Sequence, residues 1–234
     1  MVWRLHEYAS HKNLLEDLTR QVSEQLIQTI YASGTVSIAL SGGSTPRQLY
    51  QRLSMCELPW GRVKISLVDE RWVDEQHADS NARLVRETLL LNKAAAGRFQ
   101  GMKSATADAF LAQDAVSDLL LRTVMPLDLV ILGMGEDGHT ASFFPGAAGL
   151  DEALRRDSRR VCCALLPQGA SYARMSLTLV TLLSATHRLL YITGKAKRAV
   201  LERALEPGDV HELPVRALLH DKHKLTEIYY APDN

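Results

Sequence analysis

Leu127-Asp128-Leu129-Val130-Ile131-Leu132 continues into Gly133-Met134-Gly135-Glu136-Asp137-Gly138-His139-Thr140, the most informative segment of the chain. A short apolar run bounded by glycines reads as a buried strand. The glycines allow a sharp turn and a close approach of backbone to ligand. A histidine then stands at the mouth of the turn, and imidazole takes up and returns protons near neutral pH. An open parallel sheet builds its sites in this order, beyond the carboxyl ends of its strands.

The same pattern occurs upstream. Residues 35–40 read as a buried strand, followed by Ser41-Gly42-Gly43-Ser44-Thr45-Pro46. Pro46 suits the first turn of a helix running to about Met55. Two such turns in one chain point to an enzyme acting on a small phosphorylated molecule.

Working outward, residues 2–8 read as a short first strand. Residues 13–32 read as a long helix, with Leu14, Leu18, Val22, Leu26 and Ile30 at near-fourfold spacing and Gly34 as its stop. Residues 63–68 form the next strand and end in Asp69-Glu70-Arg71-Trp72. Helices are expected over 81–91 and 108–124. Residues 161–166 read as a fourth main strand and 175–184 as a helix. A strand over 188–193, Gly194, a helix over 196–205 and a last strand over 225–230 complete the chain. Strands alternating with helices imply an α/β protein: a single-domain, doubly wound, mostly parallel sheet of modified Rossmann-like type, covering residues 1–234.

Composition narrows the function. The 234 residues are 46% hydrophobic and 23% charged, the mix of a globular protein with a sizeable core. Lys plus Arg and Asp plus Glu both number 27, so no excess charge favours nucleic acid or a membrane surface as partner. An anionic substrate must be met by a few placed cations. The three cysteines, Cys56, Cys162 and Cys163, are too few for a disulfide framework and lack metal-type spacing. No signal peptide or membrane span is legible, which leads to a cytoplasmic expectation.

Four constellations carry chemistry. In the first turn, the N–H groups of Gly42, Gly43 and Ser44 can form an anion nest at a helix N-terminus, with the hydroxyls of Ser41, Ser44 and Thr45 as further donors. A bare turn with a helix cap is the plain alternative. A serine-hydrolase elbow would need glycine where Pro46 stands, so Ser44 is not read as a nucleophile. In the second turn, Gly133, Gly135 and Gly138 spell a dinucleotide fingerprint. Pro145 interrupts the helix that this would require, and the next strand ends in Pro167-Gln168-Gly169 without the acid. The turn is instead read as presenting His139, with Asp137 near enough to orient its ring. Third, Asp69, Glu70 and Arg71 at a strand end suit acid–base work, substrate clamping or only a surface ion pair. Fourth, Arg174 and Lys197 are cations near strand ends or helix starts. The Arg155–Arg160 run reads as a solvated loop, and His220 and His223 as surface or structural residues.

In this order the motifs resemble the 6-phosphogluconolactonases of the pentose phosphate pathway. The matching segments are 41–46, 69–73, Ser80-Asn81, 133–145, Arg174 and Gly194 with Lys197. The resemblance implies hydrolysis of 6-phospho-D-glucono-1,5-lactone without metal or organic cofactor. His139 would be the base and Asp137 its orienting partner. Arg71 would steady developing charge, and Asp69 would handle protons or act electrostatically. Ser41, Gly42, Gly43, Ser44, Thr45, Arg174 and Lys197 would bind phosphate. The partner would be a phosphorylated sugar lactone, and the assembly a monomer or homodimer. The related glucosamine-6-phosphate deaminases place Asn-Glu-Pro where this chain has Phe143-Phe144-Pro145, so the rival activity lacks its glutamate. A non-catalytic sugar-phosphate-binding regulator and a nucleotide-dependent oxidoreductase are weaker alternatives.

Overall fold

The computed structural model describes residues 3–232. The first third comprises β1 (Trp3–Glu7), α1 (His11–Ser33), β2 (Val36–Leu40), α2 (Arg47–Ser54), β3 (Val63–Leu67), β4 (Asp69–Arg71) and α3 (Asn81–Thr88). The middle comprises β5 (Arg98–Phe99), α4 (Ala109–Thr123), β6 (Leu129–Leu132), α5 (Leu150–Leu154) and β7 (Cys162–Leu165). The last part comprises β8 (Arg174–Leu177), α6 (Leu179–Ser184), β9 (His187–Thr193), α7 (Lys195–Leu205), α8 (Arg216–Leu219) and β10 (Thr226–Ala231).

Seven strands form a parallel sheet in the order β1-β10-β9-β6-β2-β3-β5. β2 and β6 are buried along their whole length, as apolar strands covered on both faces must be. Helix α1 starts at Ser10, whose side chain accepts from the Asn13 amide at 3.2 Å. It buries Leu14, Leu18, Val22, Leu26 and Ile30, the stripe read from their spacing. From β2 the chain proceeds to β3 on one side, while β6 leads on to β9 on the other. The carboxyl ends of neighbouring β2 and β6 therefore flank a topological switch point, where open α/β sheets bind ligands.

The expected strand over 161–166 is present as β7, but it does not join the parallel sheet. It pairs antiparallel with β8, which pairs antiparallel with β4 in a separate three-stranded sheet. The connection from β7 to β8 is short, and a parallel return would need a crossover of a dozen or more residues. The helix expected over 175–184 is half strand: β8 runs through Leu177, and the Thr178 side chain then caps α6. Periodicity alone does not separate short buried strands from buried helices. Asp69–Arg71 is likewise a strand of its own. Val68 joins the two sheets, donating its amide to Leu40 O and accepting from Leu177 N, both at 2.9 Å. The first expected strand includes Val2, which lies outside the described residues.

Candidate active site

The turns after β2 and β6 are tied together at their base. Ser41 donates both its amide (3.1 Å) and its hydroxyl (2.8 Å) to the Ile131 carbonyl of β6. The buried Tyr50 of α2 donates its hydroxyl to the Ser41 carbonyl at 2.7 Å. The Ser41 hydroxyl proton is thus engaged within the protein, which changes its expected part from donor to anchor. The amides of Gly42, Gly43, Ser44 and Thr45 donate to no protein group among the described residues. Beside them, a Cβ on Gly42 would come within 2.6 Å of Asn81 Nδ2 and closer still to Oδ1, so only glycine lets α3 pack against the turn.

Geometry within the second turn fixes the histidine. Asp137 Oδ1 accepts from the His139 amide at 3.1 Å and lies 2.5 Å from Nδ1. Burial works to raise the Asp137 pKa, but the hydrogen bond and charge of His139 outweigh it and hold the carboxyl below its ordinary value. An ionised carboxylate only accepts, so Nδ1 is the donor in this contact, and in the neutral ring the lone pair then belongs to Nε2. The ring stacks on Phe144 with centroids 3.9 Å apart and planes inclined by 26°. Gly135 makes room for this pair: a Cβ there would meet Asp137 Oδ1 at 2.5 Å and His139 more closely. Thr140 Oγ1 donates to Gly133 O at 2.8 Å and the Gly135 amide to His139 O at 2.9 Å, closing the turn.

The small sheet brings the remaining groups over this edge. Arg71 and Arg174 are cross-strand partners on β4 and β8. Arg71 donates to Asp79 O at 2.7 Å. Arg174 has Nε and Nη1 buried without a hydrogen-bond partner among the described residues, and burial followed by the charge of Arg71 lowers its pKa. Like charges placed opposite each other are unfavourable; an anion in the adjoining space relieves both. Lys197 reaches the same space from the first turn of α7.

Ser41, Gly42, Gly43, Ser44, Thr45, Asp69, Arg71, His139, Arg174 and Lys197 all line one cavity of about 220 Å³, with Asp137 behind His139. Every expected site residue is therefore brought together. Glu70, the other acid of its segment, is not. It is fully buried, and its oxygens accept from the amides of Arg71 (2.7 Å), Asn81 and Ala82 (both 2.8 Å) and the Ser80 hydroxyl (3.1 Å). It caps the start of α3; burial raises its pKa against those donors. Sequence reasoning missed Tyr50, Ala141, Ser142 and Tyr191. Tyr191 sits mid-strand and reads as core, yet it lines the cavity and its hydroxyl bonds the His11 ring. The unusual backbone of Ala141, with φ of 50°, leaves no trace in composition.

Residues 9–227 match the profile of the glucosamine-6-phosphate isomerases/6-phosphogluconolactonase family. The chain belongs to this family. It is 40% identical to a 6-phosphogluconolactonase of Rhizobium meliloti, over 97% of this chain and 98% of the relative. It is also 40% identical to one of Pseudomonas putida, over 98% and 93%. A crystal structure of a 6-phosphogluconolactonase from Shewanella baltica superposes with a TM-score of 0.94 at 36% identity, covering 97% of each chain. Its cavity lies at the switch point between β2 and β6. No group of three or more His, Cys, Asp or Glu among the described residues is arranged to hold a metal ion. No helix among them is long and apolar enough to cross a membrane.

Proposed function

We propose that the chain, acting as one α/β domain, hydrolyses 6-phospho-D-glucono-1,5-lactone to 6-phospho-D-gluconate in the oxidative pentose phosphate pathway. The observation that carries this reading is the Asp137–His139 pair, with Nε2 unpartnered among the described residues beside a cavity rich in cations. The free amides of the Ser41 turn, with Arg174 and Lys197, hold the phosphate and fix the lactone ring; orientation of this kind lowers the barrier. His139 Nε2 takes a proton from water as the oxygen attacks C1. Asp137 stabilises the imidazolium that forms. Arg71 steadies the charge growing on the carbonyl oxygen. The tetrahedral intermediate collapses, the C1–ring oxygen bond breaks, and His139 returns the proton to the leaving oxygen. The product ionises and releases one acid equivalent.

The stacking of Phe144 on His139 supports hydrolysis over amino-sugar isomerisation, because a phenyl ring transfers no proton. The balanced charge and sparse cysteines support a cytoplasmic enzyme whose partner is this small lactone rather than nucleic acid or membrane. Acid release from freshly generated lactone, measured against the no-enzyme baseline, tests the reading. Enzyme-proportional acceleration is expected. Hydrolysis at the baseline rate, or ammonia release from glucosamine 6-phosphate, would overturn it.

A further inference from the structure

The turn that presents His139 is strained one residue beyond its closing contact. Ala141 lies in the left-handed region at φ 50°, where a Cβ is disfavoured. Such a conformation persists only where its surroundings impose it. Upstream, Thr140 and Gly135 hold the turn as described. Downstream, the buried Ser142 donates its hydroxyl to Asp69 Oδ2 at 2.6 Å, and its amide reaches Ser176 Oγ at 3.4 Å. Asp69 is itself fixed, because Asn81 Nδ2 donates to its backbone carbonyl at 2.8 Å. A continuous path thus runs from α3 through β4 to the base: Asn81, Asp69, Ser142, the strained Ala141, Thr140, His139.

We infer that Asp69 is a positioning residue, which holds the strained His139 turn through Ser142 and transfers no proton to or from the lactone. The inference rests on the lactonase reading for its kinetic consequences but not for its geometric ones. Asp69 lines the cavity, so direct proton transfer is the competing role. The two roles separate cleanly by substitution. Asn at 69 keeps an oxygen for the Ser142 hydroxyl but cannot exchange a proton. Ala at 142 removes the donor and leaves the Asp69 carboxylate in place.

The experiment combines kinetics with ¹⁵N NMR of the histidine rings in the intact protein. Ser142→Ala should lower kcat by about ten- to a hundredfold, the scale of a lost hydrogen bond to a charged group, with little change in KM. Asp69→Asn should stay within about fivefold of wild type, since the weaker neutral bond survives. Ser142→Ala with Asp69→Asn should be no slower than Ser142→Ala alone, the non-additivity of residues acting through one contact. Ala141→Gly in the Ser142→Ala background should restore part of kcat, because glycine adopts this φ without penalty. The His139 ring signals should move in Ser142→Ala while those of His187, at the opposite end of β9, do not. An inactive Asp69→Asn beside a fully active Ser142→Ala, or unmoved His139 signals in Ser142→Ala, would overturn the inference. If the wild type fails to hydrolyse the lactone, the functional reading falls, and the ring signals still decide the positioning role.

Discussion

Gly133 and Gly135 occupy the same turn, yet the structure assigns them opposite tolerances. Neither has positive φ, so neither is reserved for glycine on that ground. A Cβ on Gly133 meets nothing within 4 Å. A Cβ on Gly135 lies 2.5 Å from Asp137 Oδ1 and closer to the His139 ring. Ordinary contact distances are about 3.5–4.0 Å, so the pair must retreat by at least about 1 Å. A misplacement of about 1 Å in a positioned catalytic group costs on the order of a hundredfold in rate. Gly135→Ala should therefore fold, keep most of its affinity for phosphorylated ligands, and lose about two orders of magnitude in kcat. Gly133→Ala should stay close to wild type. Progress curves on freshly generated lactone, corrected for spontaneous hydrolysis, measure both. Near-wild-type turnover of Gly135→Ala would refute the claim that the close fit of His139 and Asp137 matters; equal losses in both variants would show that the turn as a whole is at stake.

Other expectations follow from single contacts. Tyr50→Phe leaves the buried Ser41 carbonyl without its donor, a loss of about 1–3 kcal/mol, and should weaken competitive inhibition by inorganic phosphate; unchanged inhibition would show that the turn needs no such brace. Lys197→Ala and Arg174→Ala should raise KM for the phosphorylated lactone while barely affecting unphosphorylated gluconolactone, and equal losses on both substrates would remove these cations from phosphate binding. Away from the site, the buried Asp221 accepts from Arg188 Nη1 at 2.9 Å. Burial works to raise its pKa, but the bond and charge of Arg188 prevail and lower it. A lowered folded-state pKa contributes stability that is present above the unfolded value, about 3.9, and lost as pH falls through the folded value. Asp221→Asn should cost about 3–5 kcal/mol at neutral pH, because Arg188 is left buried and unpaired, and its stability should fall less steeply below about pH 4. Denaturant unfolding across that range checks both.

The centre of the parallel sheet was legible because β2 and β6 are mostly apolar, buried throughout and followed by Gly-rich turns; the two-residue edge strand β5, Arg98–Phe99, was not. The α1 stripe from Leu14 to Ile30 was equally plain. The second sheet was not. β4 is three polar residues, Asp69-Glu70-Arg71, which no hydrophobic pattern marks as a strand, and β8 runs into α6 with only Thr178 between them. Its existence depends on Val68 bonding to both sheets, a tertiary fact. Within the site, His139, Asp137 and the cations were legible through residue type and place at strand ends. The difference between Asp69 and Glu70 was not: both are acids at one strand, and only the start of α3 decides that Glu70 serves as its cap. Ser41 lines the cavity, but its hydroxyl turns to Ile131, which spacing along the chain does not reveal.

The central claim is that His139, held by Asp137, activates water on a phosphorylated lactone. It is tested most directly by comparing the initial rate of acid release from fresh 6-phosphogluconolactone for wild type and for a folded His139→Asn variant at equal concentration. The wild type should clearly accelerate hydrolysis, and the variant should lose about a hundredfold or more, the usual scale for a positioned general base. Comparable rates for the two proteins would contradict it.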